Sequence, residues 1–516
     1  MKIHSIKLTN FRGYRNTVVI PFNDLTVFVG KNDVGKSTIL EALDIFFHDG
    51  KEIVKIEKND VNVQERRDGN LDTVVSVIFD DLPEQIVIDA TAQTSLQSEF
   101  LLNAEGMLEV IKKIHDGGTQ RVYIRAIHPT KPDCEGLLLK KNTDLRRIIN
   151  GRGIPCENQN SNVCLRRAIW GYYHDDLQLQ EMEIDVSKED AKAIWNKLST
   201  YMPVYSLFQS DRKNSDGDSE VQDPLQEAVK EIIQDPNLQT TLATVADVVI
   251  QKLREVSERT LEKIQEMDPA IANSLNPVIP SVETLKWGDV FKKVSISGDE
   301  DIPINKRGSG VKRLVLLNFF RAEAERRLER GDNTGIIYAI EEPETSQHSE
   351  NQKILIQALK NMTTTPNVQV ILTTHSGTIV KNLDYENLRL VSDSNGQKNV
   401  LTIEPGVLLY PSLNEVNYLA YGEAAEEYHN ELYGFLEYKH KLNDYKQGKT
   451  TIQYIKLMND GTTRTVQVIQ SEYIRHQIHH PDNTLNPKYT HDDLRDSIQS
   501  MRDFIQAERA AGRLDV

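Results

Sequence analysis

The sequence predicts an α/β protein: a mixed sheet with flanking helices, an inserted helical arm and a mostly α-helical C-terminal region. Three observations carry that reading. The apolar run "LTVFVG" leads into the glycine-bearing loop "GKNDVGKS" (30–37) and then into a helix pattern. About 300 residues later, "GIIYAIEE" and "VQVILTTH" are two more continuous apolar runs, the form taken by strands buried on both faces of a parallel sheet. Apolar residues recur at helical spacing over 225–267, and the chain again reads as largely helical beyond residue 412.

The elements follow in order. "HSIKLTNFRGY" and "NTVVIPF" read as a pair of edge strands, and the helix "KSTILEALDIFFHDG" after the loop ends at Gly50. Alternation in "LDTVVSVIFDDL" (71–82) and "EQIVIDATAQ" predicts a further antiparallel sheet. Residues 95–205 are mixed in pattern. The helical spacing of 225–267 makes an arm too short for the long coiled coil of a chromosome-organising protein. Residues 285–405 return to α/β character, and a strand pair near 450–470 interrupts the C-terminal helices. The expected division is 1–95 and 285–410 as two lobes of one head, 96–284 as an inserted mixed region and arm, and 411–516 as a C-terminal effector or partner-docking domain.

Composition narrows the classes. The chain has 516 residues, enough for two or three cores, and its 39% hydrophobic and 27% charged content is that of a globular protein. A net charge of −16 argues against a surface built wholly around nucleic-acid phosphate, though a local basic groove is compatible with it. Cys134, Cys156 and Cys164 are scattered, which excludes a disulfide framework, a Cys-type zinc finger and a zinc hook. With no apolar leader and no run of eighteen apolar residues, the expectation is a cytoplasmic protein without a membrane span.

"GKNDVGKS" fits GxxxxGK[ST] between a strand and a helix. Gly30 and Gly35 allow the tight turn whose amides surround a β-phosphate. Lys36 reaches the β/γ-phosphates, and the Ser37 hydroxyl can ligate Mg2+. Lys31, Asn32, Asp33 and Thr38 complete the predicted ATP-binding stretch. "GIIYAIEEPE" (335–344) ends a buried strand in two carboxylates, which are costly there without a cation or hydrogen bonds. Glu341 would sit by Mg2+, and Glu342 would polarise the water that attacks the γ-phosphate. His375, closing "VQVILTTH", can hydrogen-bond that phosphate. In "NKRGSGVKRLVLLNFF" (305–320), Ser309 and Gly310 open an apolar helix, either as an anion-binding N-terminus or as a plain N-cap.

These motifs, in this order, resemble the ABC-type ATPases of the structural-maintenance, RecF and overcoming-lysogenization-defect group, over residues 1–50 and about 300–385. "LTNFRGYRN" resembles that group's opening strands, where Arg12 would approach the nucleotide. "RGSG" resembles the signature motif, "AIEEPETSQH" the Walker B with its D-loop, and His375 the switch histidine. The resemblance implies that two heads dimerise, Ser309 and Gly310 of one closing over ATP on the other. Two departures stand out: Glu341 replaces the usual aspartate, and no clear Q-loop glutamine is visible, Asp60 and Gln64 being the nearest candidates.

Nucleases of the lysogenization-defect type carry a DxD motif after the ATPase, and none occurs beyond residue 400. The acidic loop "VYSLFQSDRKNSDGDSEVQDP" (204–224) resembles a segment of bacterial antiphage ATPases, including the Septu ATPase subunit and that of a related retron system. Those ATPases assemble into oligomers and work with a separate HNH-type nuclease. The loop reads equally as an inter-subunit surface or as a regulatory element.

"SEYIRHQIHHPDN" (471–483) holds three histidines in five residues. His476 and His480 have the i,i+4 spacing of a zinc pair, with no third ligand evident. Arg475, His476 and His480 also match the R(N/D/H)xxxH pattern of HEPN ribonucleases, which need no metal. An ideal helix sets positions 475 and 480 about 140° apart, so such a site would be composite between two subunits. The third reading is a helix end capped before Pro481, or a docking surface. The sequence therefore predicts an ATPase of antiphage defence, using ATP and Mg2+, at least dimeric through its heads and controlling a separate nuclease subunit. An intrinsic RNase is the alternative, a RecF-like DNA-repair ATPase the second, and contact with nucleic acid is possible.

Overall fold

Alternating and continuous apolar strands sort into two sheets. The computed structural model describes residues 1–51, 53–89, 92–187, 191–209, 236–267, 335–345, 349–394, 396–408, 410–458 and 461–514. The first sheet is antiparallel throughout, in the order β2 (Val18–Pro21), β1 (Lys2–Thr9), β4 (Asp72–Asp80), β7 (Leu108–His115), β8 (Thr119–Pro129), β9 (Leu179–Asp185). β5 (Ile86–Asp89) and β6 (Ala92–Thr94) form a hairpin of their own. The expected boundary at residue 95 thus falls within one sheet: β7 pairs with β4 from Asp72–His115 to Phe79–Leu108, and β8 and β9 extend it.

The second sheet runs β10 (Val204–Phe208), β11 (Ile336–Glu341), β12 (Val368–Thr373), β3 (Leu25–Val29), β13 (Leu388–Ser394), β14 (Gln397–Thr402). The first five are parallel and β14 returns antiparallel on β13. Every residue of β3, β11 and β12 is buried, as their predominantly apolar sequences require. α1 (Lys36–His48) packs Ile39, Leu40, Leu43 and Phe46 into the core shared by both sheets. Gln369, 2% exposed on β12, accepts from the Ile3 amide at 2.7 Å and donates to the Ile3 carbonyl at 3.0 Å, stitching β1 to the second sheet.

The flanking helices are short. α2 (Val63–Arg67) is N-capped by Asn62; α3 (Asn142–Arg152) packs on α4 (Asn162–Tyr172), and α4 and α5 (Ala191–Leu198) pack against the β5–β6 hairpin. α6 (Pro236–Met267) is a 32-residue helix within the separate unit formed by Asp211–Glu323, on the stretch where the arm was expected. α7 (Ser349–Met362) and α8 (Gly377–Lys381) join β11, β12 and β13.

Beyond β14 the chain builds a second core from Val407 to Leu514. It comprises α9 (Leu413–Tyr421), α10 (Glu426–Tyr438), α11 (Leu442–Lys446), the hairpin β15 (Thr451–Leu457) and β16 (Thr463–Ile469), α12 (Gln470–His479) and α13 (His491–Ala510). Its hub is Glu415, 2% exposed, which accepts from the Val407 amide (2.8 Å), the Leu408 amide (3.3 Å), the Tyr428 hydroxyl (2.8 Å) and Arg502 Nη1 (2.8 Å). Removing the cation leaves a buried carboxylate uncompensated. Arg502→Met should therefore destabilise this core by about 3–5 kcal/mol, read as a lowered denaturation midpoint; a midpoint equal to wild type would refute the hub.

Candidate active site

Strand register assembles the site. β3 pairs with β12, and β12 with β11, so Phe28, Thr373 and Glu341 stand in one row across three parallel strands. The carboxyl ends of such strands share one edge, where ligands bind in open α/β sheets. At that edge Val29 runs into the 30–35 loop, Glu341 is followed by Glu342, and Thr373 by Thr374 and His375.

The loop conformation explains its glycines. Gly30 (φ 149°), Asp33 (φ 62°) and Gly35 (φ 101°) all lie in the left-handed half of backbone space, which costs non-glycine residues free energy. A Cβ on Gly30 would come within 2.4 Å of the Val391 carbonyl oxygen. Lys36, 6% exposed, donates to the carbonyls of Gly30 (2.9 Å) and Lys31 (2.8 Å). Burial pulls its pKa below the ordinary lysine value, and the carboxylates of Glu342, Glu344 and Asp33 act against that fall. Ser37 and Thr38 are half-buried in the first turn of α1, whereas Lys31, Asn32 and Asp33 are exposed.

Two carboxylates end β11. Glu341 is 9% exposed; Glu342 adopts a left-handed φ of 40°. Its amide donates to Thr373 O (3.1 Å) and Oγ1 (3.2 Å), and its carbonyl accepts from the amide (3.1 Å) and hydroxyl (3.0 Å) of Thr345. These four bonds hold the strained turn. His375 Nδ1 lies 3.2 Å from Glu342 Oε1 and 3.7 Å from Glu344 Oε1. Glu344 itself is 4% exposed, and its Oε1 accepts from the Thr374 hydroxyl (2.7 Å) and the His375 amide (3.0 Å).

Three further residues escaped the sequence reading. Glu344 is one, hidden as just another acid in "EEPE". Tyr14 is the second: fully buried, it donates to the Gly35 carbonyl at 3.0 Å, and burial raises its pKa. Gln209 is the third. Phe208 pairs with Ile340, which puts Gln209 level with Glu341, and its Nε2 donates to Glu41 Oε1 at 3.0 Å. It ends a strand beside Glu341, whereas the residues considered for the Q-loop were Asp60 and Gln64. An amide directly after an apolar strand and before an acidic loop was the available signal. Asp60 instead accepts from Arg12 Nε (2.7 Å) and the Glu57 amide, and Gln64 bonds Asp68. Arg12, expected near the nucleotide, has its guanidinium paired with both Glu41 and Asp60.

Ser309 and Gly310 lie outside the described residues, as do 346–348 of the expected D-loop and 210–224 of the acidic loop. The donors present fit ATP with Mg2+. The left-handed glycines open a backbone cradle, and Ser37 and Glu341 carry the kind of hard oxygen donors that Mg2+ would take in small number beside substrate phosphates. Among the described residues no group of three or more His, Cys, Asp or Glu could by itself hold a metal ion.

The C-terminal residues are dispersed. Arg475 pairs with Glu437 at 3.0 Å and lies 4.2 Å over the Tyr433 ring, both on α10. His476 stacks on Tyr454 of β15, at 5.0 Å between ring centroids, and the His480 ring lies 6.4 Å from that of His476. His480 is the C-cap of α12, its amide bonded to the His476 carbonyl at 2.9 Å, with Pro481 next. Arg475 and the two histidines thus engage different neighbours within one chain. No helix among the described residues is long and apolar enough to cross a membrane.

A family model described as "AAA ATPase domain" matches residues 1–380. Endonuclease GajA of Bacillus cereus is 19% identical over 435 residues, 79% of this chain and 60% of that protein. An ATP/GTP phosphatase of Helicobacter pylori is 21% identical over 396 residues, 74% of this chain and 87% of that one. The chain thus spans less than two thirds of the first relative and most of the second. Among solved structures, an SMC head bound to the C-winged helix domain of ScpA is 14% identical with a TM-score of 0.36, and covers 78% of this chain and 98% of its own. The SMC head domain from Thermotoga maritima gives a TM-score of 0.32 at 14% identity, over 78% of this chain and all of its own. The chain belongs to the AAA ATPase domain family, and its head is an ATPase.

The geometry makes Gly30 irreplaceable. Gly30→Ala should weaken ATP binding in calorimetric titration about tenfold or more, since it adds a backbone clash to an unfavourable φ. Gly69→Ala, also at positive φ but with nothing within 4 Å of its Cβ, is the control and should bind ATP normally.

Proposed function

We propose that this chain is an ABC-type head that binds and hydrolyses ATP, dimerises through its nucleotides, and controls a nuclease effector in bacterial antiphage defence. The observation that carries the reading is the single edge at which the phosphate loop, Glu341–Glu342 and His375 meet.

In this reading, the loop amides of residues 30–37 and the Lys36 ammonium receive the β- and γ-phosphates, and Ser37 and Glu341 would hold Mg2+. When bound, that ion would supply charge neutralisation for the phosphates. Glu342 accepts a proton from the attacking water, and the strained turn fixes its direction. His375, held against Glu342 and Glu344, donates toward the γ-phosphate. Gln209 belongs to the same edge and joins it to Glu41 and Arg12. Arg12 serves as the brace between α1 and the 58–62 turn. Ser309 and Gly310 would come from the second head, which makes the dimer the hydrolysing unit.

The defence assignment rests on the resemblance to the Septu and retron-associated ATPases and on likeness to a bacterial endonuclease. The finer reading is an ATPase subunit acting with a separate HNH-type nuclease, which docks on the 411–516 core. The capped end of α12 favours a docking role for that face, because Arg475 is spent on Glu437 and Tyr433 rather than turned toward His480.

Glu342→Gln should abolish phosphate release while keeping ATP and the nucleotide-bound dimer, seen by malachite-green assay and light scattering; undiminished turnover would sink the assignment. Arg475→Ala with His480→Ala should leave ATPase activity within about twofold of wild type. RNA cleavage by the purified wild-type chain that this double variant loses would overturn the effector-in-trans reading in favour of an intrinsic RNase.

A further inference from the structure

The two glycines of the phosphate loop are each met by a tyrosine. Tyr14, from the first sheet's opening turn, holds Gly35. The other comes from the C-terminal core: Tyr421, the last residue of α9, reaches back to the start of the loop. Its hydroxyl donates to the Val391 carbonyl at 2.7 Å, the same carbonyl that forbids a side chain on Gly30. The hydroxyl would lie 3.2 Å from a Gly30 Cβ. Burial raises the pKa of the phenol, and the nearby Lys31 backbone opposes that rise. Above the ring, Lys31 Nζ sits 4.6 Å from the centroid, and Glu423 completes the clasp at 3.4 Å from the same ammonium.

From this geometry we infer that Tyr421 is a positioning residue of the ATP site, supplied by the C-terminal core, and that the Lys31–Tyr421–Glu423 clasp couples nucleotide binding to that core. Tyr421 lies beyond the 1–380 span matched by the family model, so the site uses a residue that the ATPase domain alone does not contain. The physical argument has two parts. The hydroxyl ties α9 to the β13 carbonyl against which Gly30 packs, so removing it loosens the wall that holds the first turn of the loop and the amides that must converge on phosphate. The Lys31 ammonium is shared among a ring face, a carboxylate and, when ATP occupies the loop, a nearby polyanion. A ligand that competes for this cation weakens its hold on Glu423, and by linkage the state of α9 must alter ATP affinity by the same factor. The clasp's cation–π and exposed ion-pair terms are individually small, which suits a contact that is made and released.

The inference rests on the ATP-site reading, and the test separates the two. Tyr421→Phe keeps the ring and loses only the hydroxyl. It should raise the KM for ATP about three- to tenfold with kcat changed less than twofold, and its unfolding midpoint should match wild type. Glu423→Gln should change ATP affinity without altering the fold. Addition of the non-hydrolysed analogue AMP-PNP to wild-type chain should change hydrogen-exchange protection over residues 413–423, a response that a merely structural tyrosine would not give. If Lys36→Ala also binds ATP normally, the site reading itself fails. If Lys36→Ala loses binding while Tyr421→Phe keeps wild-type KM and the 413–423 segment is unmoved by nucleotide, the clasp alone is overturned.

Discussion

Everything at the site depends on three strands lying in parallel phase. β3 stands near the start of the chain, β11 and β12 more than 300 residues later, and only their pairing places Phe28, Thr373 and Glu341 in one row. A slip of one residue would turn each strand's side chains to the opposite face and carry Glu342 away from His375. The register is fixed by burial, since all residues of the three strands are inside, and by Gln369, which locks β12 onto Ile3 with two hydrogen bonds. A buried amide paired in this way is costly to shift, because any displaced partner is left without water.

The same logic explains why so many backbone groups near the site are spoken for. A loop that must present its amides to phosphate cannot satisfy itself, so its conformation has to be imposed from outside. Tyr14 bonds one end, Tyr421 and the Val391 carbonyl it bonds wall in the other, and Lys36 bonds two carbonyls within it. Glu342 is a parallel case: a left-handed carboxylate residue that keeps its turn only because Thr373 and Thr345 make four hydrogen bonds to its backbone. Strain is concentrated where chemistry needs a defined direction, and the neighbours that hold it come from four different chain segments.

That arrangement also explains what could be read in the sequence. The phosphate loop, the two carboxylates and His375 were legible because each combines a continuous apolar strand with a polar terminus, a local pattern. The C-terminal hairpin near 450–470 was legible from a different local pattern, two runs rich in β-branched residues on either side of a turn. β7, β8 and β9 were not placed: β7 loses the alternation because it buries Glu109 and Lys112 among its apolar residues, and β9 is largely exposed. Glu344, Tyr14, Gln209 and Tyr421 escaped because their roles exist only across contacts between distant segments. Arg12, placed near the nucleotide by its motif, is paired with Glu41 and Asp60, contacts the motif alone does not reveal.

The acidic balance of the chain now has a consistent place. A protein of net charge −16 does not attract ATP by its long-range field, and at about 0.1 M salt such fields fade over roughly 10 Å. Capture must therefore come from short-range groups: oriented amides, a buried Lys36 and the helix N-terminus of α1. Those groups are fixed in place before any ligand arrives, so they pay little reorganisation. The carboxylates that depress anion affinity, Glu342 and Glu344, are the ones that also sustain the charge of Lys36 against burial. An anion site built this way binds a nucleotide through its cation-compensated phosphates rather than through bulk charge. Its affinity is then set chiefly by how rigidly the loop is held, which is why residues as far along the chain as Tyr421 bear on it.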